Sequence, residues 1–428
     1  MKLLEELRAI ARPRNVTERN FRNVLVDGIG VGIVVGVGTF LAVFLARLGA
    51  SSLLVGLLTS LPALTGALLG VPIGQFLERQ RNIVVWYSRS RVWVLWSYAL
   101  FGFLPFLLPL DLVPWAVIAI WAVVTVPSTI VNVAFTVVMG QVAGPRHRFR
   151  LMSLRWSSLG TFSALSVALV GQILDRIVFP LNYQVVFIGS FFGGLLSFLF
   201  SRSITIPDQV PVVADADPGA RSGIVRWFTD LVAVTREAPA PFLRFAASSF
   251  VFRSGVAMGM PLLPLYWVRV VEASDAAIGL ITMANSAVLL VAYAIWSATT
   301  RRVGIGRALL VSSLGIALYP LAVAATTEIW ILALLAGLAG FFVAGNDLVN
   351  FDLLLGSIPT DHQAILVGFY QTLQNSALFI MPLVGTLLAD QIGLAGALVI
   401  AGLLRLMGSI LFFTLGVGRQ PVAPGEAE

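Results

Sequence analysis

The sequence predicts an all-α integral membrane protein of twelve transmembrane helices in two pseudo-symmetric six-helix bundles, and three observations carry that expectation. Of 428 residues, 58% are hydrophobic and 11% charged, with a mean hydropathy of +0.92. Soluble domains carry about 25% charged residues, so this composition suits lipid as the solvent. Uncharged runs such as 28–46, 92–110 and 112–145 alternate with short arginine clusters, and each approaches or exceeds the roughly 20 residues a helix needs to cross a bilayer. The third observation is an internal repeat, which divides the crossings into two sets of equal size.

Apolar runs between punctuating charges, glycines and prolines place the first six crossings near 24–46, 53–77, 86–108, 114–138, 152–174 and 183–203. The second six fall near 242–268, 276–298, 307–326, 329–351, 365–388 and 394–416. Segment 86–108 is the least clean, because Arg89 and Arg91 sit in its first turns. Residues 1–23 are polar and lack the apolar core and cleavage site of a signal peptide. They read as a retained cytoplasmic segment along the membrane surface, and with it the first half spans 1–203. Residues 204–240 form a cytoplasmic linker, rich in proline and aspartate at 206–219. Within it Ile224, Trp227, Phe228, Leu231 and Val234 recur at helical spacing opposite Arg226, Asp230 and Arg236, as in an amphipathic helix lying among headgroups. The second half, with a short cytoplasmic tail, spans 241–428.

Charge sets the orientation. With the N-terminus inside, the outer loops hold Arg47, Arg176 and Arg269 against Asp111, Asp175, Glu272, Asp275, Glu328 and Asp390. Arg253 and Arg405 fall within helices, and the remaining arginines lie on or near the cytoplasmic side with Lys2. This asymmetry is the positive-inside pattern and puts both termini in the cytoplasm. It also accounts for the net charge of +7 without nucleic acid as a partner. Lys2 has no glycine-rich loop before it, so no P-loop is present. There is no cysteine, and His147 and His362 alone build no metal site. No Ser/His/acid arrangement appears, so neither enzyme chemistry nor a cofactor is expected.

The repeat is read in ordered matches. Leu48-Gly49-Ala50-Ser51 and Gly56-Leu57-Leu58-Thr59 recur as Val271-Glu272-Ala273-Ser274 and Gly279-Leu280-Ile281-Thr282. Leu169-Val170-Gly171 with Asp175 recurs as Leu383-Val384-Gly385 with Asp390. The histidines occupy matching loops, all at offsets of about 215 to 225 residues. A parallel six-helix repeat is characteristic of secondary transporters whose solute site lies near mid-membrane.

The loop after the second crossing carries the most specific motif. Gly74-Gln75-Phe76-Leu77-Glu78-Arg79-Gln80-Arg81 holds a glycine, three residues, an acid and an arginine, and the pattern returns in altered form as Ser297, Arg301, Arg302, Val303 and Gly304. In topology and in this loop the chain resembles the major facilitator superfamily. The resemblance implies the two-bundle fold of that family and alternating access. It also implies a cytoplasmic latch at Gly74, Glu78, Arg79, Arg302 and Gly304, with the glycine permitting close helix approach. Gly160 to Gly171 contains no proline, unlike the drug-antiporter branch, which makes a proton-driven multidrug exporter a poorer match.

Ionisable groups at the centre of a membrane helix cost about 2.5–3.5 kcal/mol on insertion scales, so each needs a reason. Asp27, Arg253, Asp347 and Arg405 stand out. Arg253 lies eleven residues after Phe242, about 16 Å along a helix, near the bilayer centre. Asp27 is its approximate repeat counterpart, and the family architecture implies that their helices face one another across the pathway. A solute or proton pathway through Asp27 and Arg253 is the sharp reading; a static buried ion pair is the plain one. Asp347 sits among Asn346, Asn350 and Asp352, at either the pathway or a helix end. Arg405 fits a bond to a neighbouring helix better than one to a solute. Gln371, Gln374 and Asn375 share one helical face. Asn132 with Thr136, and Asn285 with Ser286, are further uncharged candidates. All suit hydrogen bonding to a solute or packing between helices. Gly28, Gly32 and Gly36, and likewise Gly255 and Gly259, give smooth faces for close packing.

The expected function is secondary active transport of a small-molecule solute, with a proton as candidate coupling partner, by a lipid-embedded monomer in a bacterial plasma membrane. Two alternatives stay open: a non-transporting sensor or assembly factor on the same fold, and a lipid flippase.

Overall fold

A computed structural model describes residues 13, 15–206, 238–357 and 363–418. The first described helices are α1 (Val16–Gly38), α2 (Leu41–Arg47), α3 (Ser52–Glu78), α4 (Ile83–Leu107), α5 (Val113–Arg176) and α6 (Leu181–Ser201). They are followed by α7 (Ala240–Arg269), α8 (Asp275–Val303), α9 (Ile305–Ala324), α10 (Ile329–Gly356) and α11 (Gln363–Thr414). Among the described residues, ten helical stretches are long and apolar enough to cross a membrane. Large apolar side chains remain exposed on them, Trp330 at 76% and Val123 and Phe192 at 72%. Such a surface is costly in water and is what hydrocarbon requires.

Every predicted crossing falls on a helix, but several bounds differ. The first helix begins at Val16, where the Asn15 side chain accepts the backbone N–H of Glu18. That cap satisfies one of the orphan donors of the first turn. Residues 16–23 are therefore helical and belong to the first crossing rather than to a surface segment; residues 1–12 lie outside the described residues. The crossings predicted at 114–138 and 152–174 are spanning stretches 113–139 and 154–176 of one assigned helix. Those at 365–388 and 394–416 both lie in α11, where Gly393 with φ 79° interrupts the helical geometry. The amphipathic helix expected at 221–237 lies outside the described residues.

Contacts divide the chain into two compact units, residues 1–216 with 273–283 and residues 217–272 with 284–428. In the first, α1 packs on α5 and α6, α4 packs on both, and α3 packs on α5. Glycine makes the α1 contacts possible. A Cβ at Gly32 would lie 2.5 Å from the Leu159 carbonyl oxygen, and one at Gly36 would lie 2.7 Å from the Ser166 Cβ. Residues at the ends of helices in this unit also meet. Arg47 pairs with Asp275 at 3.2 Å, the Tyr183 hydroxyl donates to Asp275 at 2.8 Å, and Asp175 accepts the Ala276 N–H at 3.1 Å. In the second unit α7 packs chiefly on α11, and α9 on α10 and α11. There Gly255 lies against the Ala401 carbonyl, where a Cβ would come within 2.7 Å.

Candidate functional site

The first unit holds a carboxylate closed in on every side. Asp27, on α1, is 0% exposed. Its Oδ1 accepts from Arg91 Nη1 at 2.9 Å and from Ser197 Oγ at 2.6 Å; its Oδ2 accepts from Arg155 Nη2 at 3.2 Å and from the Tyr87 hydroxyl at 3.3 Å. Arg91 also donates to the Tyr87 hydroxyl and lies 4.5 Å from that ring's centroid, while Arg155 lies 4.4 Å from the Phe135 ring. One acid thus ties together α1, α4, α5 and α6. Two guanidiniums on one carboxylate leave an excess positive charge, which the aromatic faces help to hold. Sequence reasoning finds Asp27 but misses Arg91 and Arg155, which charge counting places toward the cytoplasm. The signal is available in principle: an acid at that depth needs a cation, and Arg91 lies nine residues inside its helix.

The second unit arranges its charges differently. Arg253, midway along α7, is half-buried, and its buried Nε has no hydrogen-bond partner. Asp347, on α10, is exposed and accepts from the Tyr293 hydroxyl of α8 at 3.1 Å. No ion pair joins Arg253 to Asp347 among the described residues. Tyr370 stacks on Phe245 with centroids 5.5 Å apart, which brings the Ser249–Arg253 face of α7 alongside the first part of α11. Gln374, one turn beyond Tyr370, is buried with Nε2 unpartnered. Asn346 is buried too: its Oδ1 accepts from Asn350 Nδ2 at 2.6 Å and its Nδ2 has no partner. Buried N–H groups without acceptors are rare in folded proteins and costly.

The other candidates separate by use. Asn285 donates to the Ala336 carbonyl at 2.9 Å, and a Cβ at Gly340 would lie 2.3 Å from the Asn285 carbonyl oxygen. This amide serves the packing of α8 on α10. Arg405 is 4% exposed, donating from Nε to the Gly255 carbonyl at 3.1 Å and from Nη1 to the Ile316 carbonyl at 3.2 Å. It bonds neighbouring helices, and Gly259 leaves room for its Nη2. Gln371 is exposed, Asn375 half-buried and Asn132 exposed. The side chains of Thr136, Glu78, His147 and His362 lie outside those described.

At the expected latch, a Cβ on Gly74 would meet nothing within 4 Å, so the close approach anticipated there is absent from this structure. Arg79 and Arg302 are exposed at the ends of α3 and α8. Gly304 has φ 85° and ψ 153°, between α8 and α9. That backbone region is essentially open to glycine alone, which explains this residue by turn geometry.

A helical membrane protein with paired and unpaired charges at membrane depth is the class this fold and site define. Residues 245–428 match the family model of the Major Facilitator Superfamily. Solved structures match over nearly the whole chain. A mutant of the nucleoside transporter NupG is 10% identical with a TM-score of 0.71, covering 94% of this chain and 100% of that one. A bacterial homologue of the human lysosomal transporter Spinster is 11% identical with a TM-score of 0.68, covering 97% and 100%. A POT family transporter in complex with a thioalcohol-conjugated peptide is 10% identical with a TM-score of 0.69, covering 92% and 95%. No curated protein sequence matches the chain. The second half of the chain matches the sequence model of that superfamily, and the fold is similar to these solved transporters along nearly the whole chain. The expected secondary transport of a small solute accords with that partial match.

Proposed function

We propose that this protein moves a small polar solute across a bacterial plasma membrane by alternating access, as a transporter and not an enzyme, and that the solute is held by the second unit. The observation that carries the site is Arg253, midway along α7: unlike Arg91 and Arg155, which share an unpartnered Nε, it has no carboxylate partner among the described residues. A guanidinium at that depth is expensive, and a donor left without an acceptor adds to the cost unless a ligand supplies one. To the same site we assign Asp347 with its partner Tyr293, and Gln374, Gln371 and Asn375 of α11.

Asp27 takes a different role in this reading. Four partners enclose it, so it holds the first unit together and the solute does not touch it. Asp347 is the better-placed group for coupling to a proton, because it is exposed and has one hydrogen-bond partner. The excess of arginine on one side supports cytoplasmic termini, and the protein works as a monomer.

Uptake by proteoliposomes tests the proposal. A mixed panel of radiolabelled small solutes is offered with and without a pH gradient. Uptake of at least one solute by the wild type is expected, with loss of more than tenfold in Arg253→Gln. Transport unchanged in Arg253→Gln moves the site elsewhere; no uptake of any solute, under either condition, favours a non-transporting role for the fold.

A further inference from the structure

We propose that the solute is a small zwitterion, with a carboxylate and an ammonium on one short chain, the first bound by Arg253 and the second by Asp347. The inference rests on the site assigned above and goes beyond it in naming the substrate class. Three observations point to it.

Arg253 and Asp347 are opposite charges of one unit, next in sequence to Phe252 and Leu348 of a single apolar cluster that also holds Tyr293 and Tyr370, and they form no ion pair with each other. The first unit shows what this chain does with a purely structural carboxylate: Asp27 is closed against two arginines at 2.9 and 3.2 Å. The open pair in the second unit departs from that solution. Arg253 keeps a buried donor without an acceptor while Asp347 stays open, and a ligand that bridges the gap engages both.

The unmet groups have the right polarity on each side. On Arg253 it is a donor that lacks a partner, and the planar guanidinium fork matches a carboxylate better than any other common group. On Asp347 the one hydrogen bond falls on Oδ2, which leaves Oδ1 as an acceptor for an ammonium. Gln374 Nε2 is a further unpartnered donor, on the helix whose Tyr370 stacks on Phe245 of α7.

The alternatives fit less well. An organic anion satisfies Arg253 and is repelled by Asp347, while a cation meets the reverse problem. A neutral solute leaves both charges without a charged partner.

The test uses the full chain purified in detergent, with thermal unfolding followed by tryptophan fluorescence. Glycine, β-alanine and 4-aminobutyrate differ only in the separation of their two charges. Propionate and propylamine carry one charge each. Stabilisation is expected from at least one zwitterion, with a preference among the three, and from neither singly charged compound. Arg253→Gln and Asp347→Asn each weaken the apparent affinity about tenfold or more with little change in the ligand-free midpoint, and Arg253→Lys restores part of the loss. Stabilisation by propionate or propylamine, sensitive to the same substitutions, overturns the zwitterion and leaves the site standing. A zwitterion effect that survives both substitutions overturns the site itself. No effect from any of the three zwitterions overturns the proposed substrate class.

Discussion

Asp27 and Arg253 occupy corresponding places in the sequence repeat and sit in opposite circumstances. The carboxylate has two cations, a hydroxyl and a phenol on its two oxygens; the guanidinium has a buried nitrogen with no acceptor. Removing one partner of a buried pair leaves the others uncompensated, at a cost of roughly 3–5 kcal/mol. Asp27→Ala is accordingly expected to lower the thermal unfolding midpoint strongly, because Arg91 and Arg155 are then two like charges in one buried site. A midpoint within a degree of wild type would show that the cluster contributes little to stability. Sequence made Asp27 legible, since an acid in an apolar run demands an explanation. It did not reveal Arg91 and Arg155, because whether an arginine near a helix end turns inward depends on the rotation of that helix against its neighbours. Arg405 was legible as a helix-bonding residue, and it donates to the Gly255 and Ile316 carbonyls.

At the scale of helices, glycine is used in three ways that sequence spacing alone does not distinguish. Gly32 permits contact: a side chain there would strike the backbone of α5, with Cβ 2.5 Å from the Leu159 carbonyl oxygen. Gly32→Leu is expected to destabilise the first unit by about 1–3 kcal/mol or more, visible as a lower unfolding midpoint. Gly304 permits a turn, and Gly304→Val is expected to cost about 1–3 kcal/mol for its strained backbone. Gly74 does neither in this structure, since a Cβ there meets open space. Gly74→Ala is therefore expected to be neutral or to stabilise by up to about 1 kcal/mol through helix propensity; marked destabilisation would mean that Gly74 makes close contacts in another conformation. The periodic Gly28, Gly32 and Gly36 stripe was readable because its four-residue spacing follows one helix face. Gly74 was misjudged because a motif names a position without naming its neighbours. The two crossings around 139–152 fall where the apolar runs placed them, at 113–139 and 154–176, although the residues between them, Pro145 included, are helical as well.

For the molecule as a whole, composition and repeat settled the architecture, because a bilayer imposes helix length and satisfied backbone hydrogen bonds on any chain that crosses it. The division of labour between halves was not legible. A duplicated scaffold suggests equivalent roles for equivalent positions, whereas here one half closes its central charge and the other leaves its own open. That asymmetry is the central claim, and comparing two single substitutions in the same assays tests it most directly. Arg253→Gln and Asp27→Asn are each purified, scored for unfolding midpoint, and reconstituted for solute uptake. The account predicts that Arg253→Gln keeps the wild-type midpoint and loses uptake, while Asp27→Asn loses several degrees of midpoint. A wild-type midpoint with abolished uptake in Asp27→Asn, beside full uptake in Arg253→Gln, would contradict it.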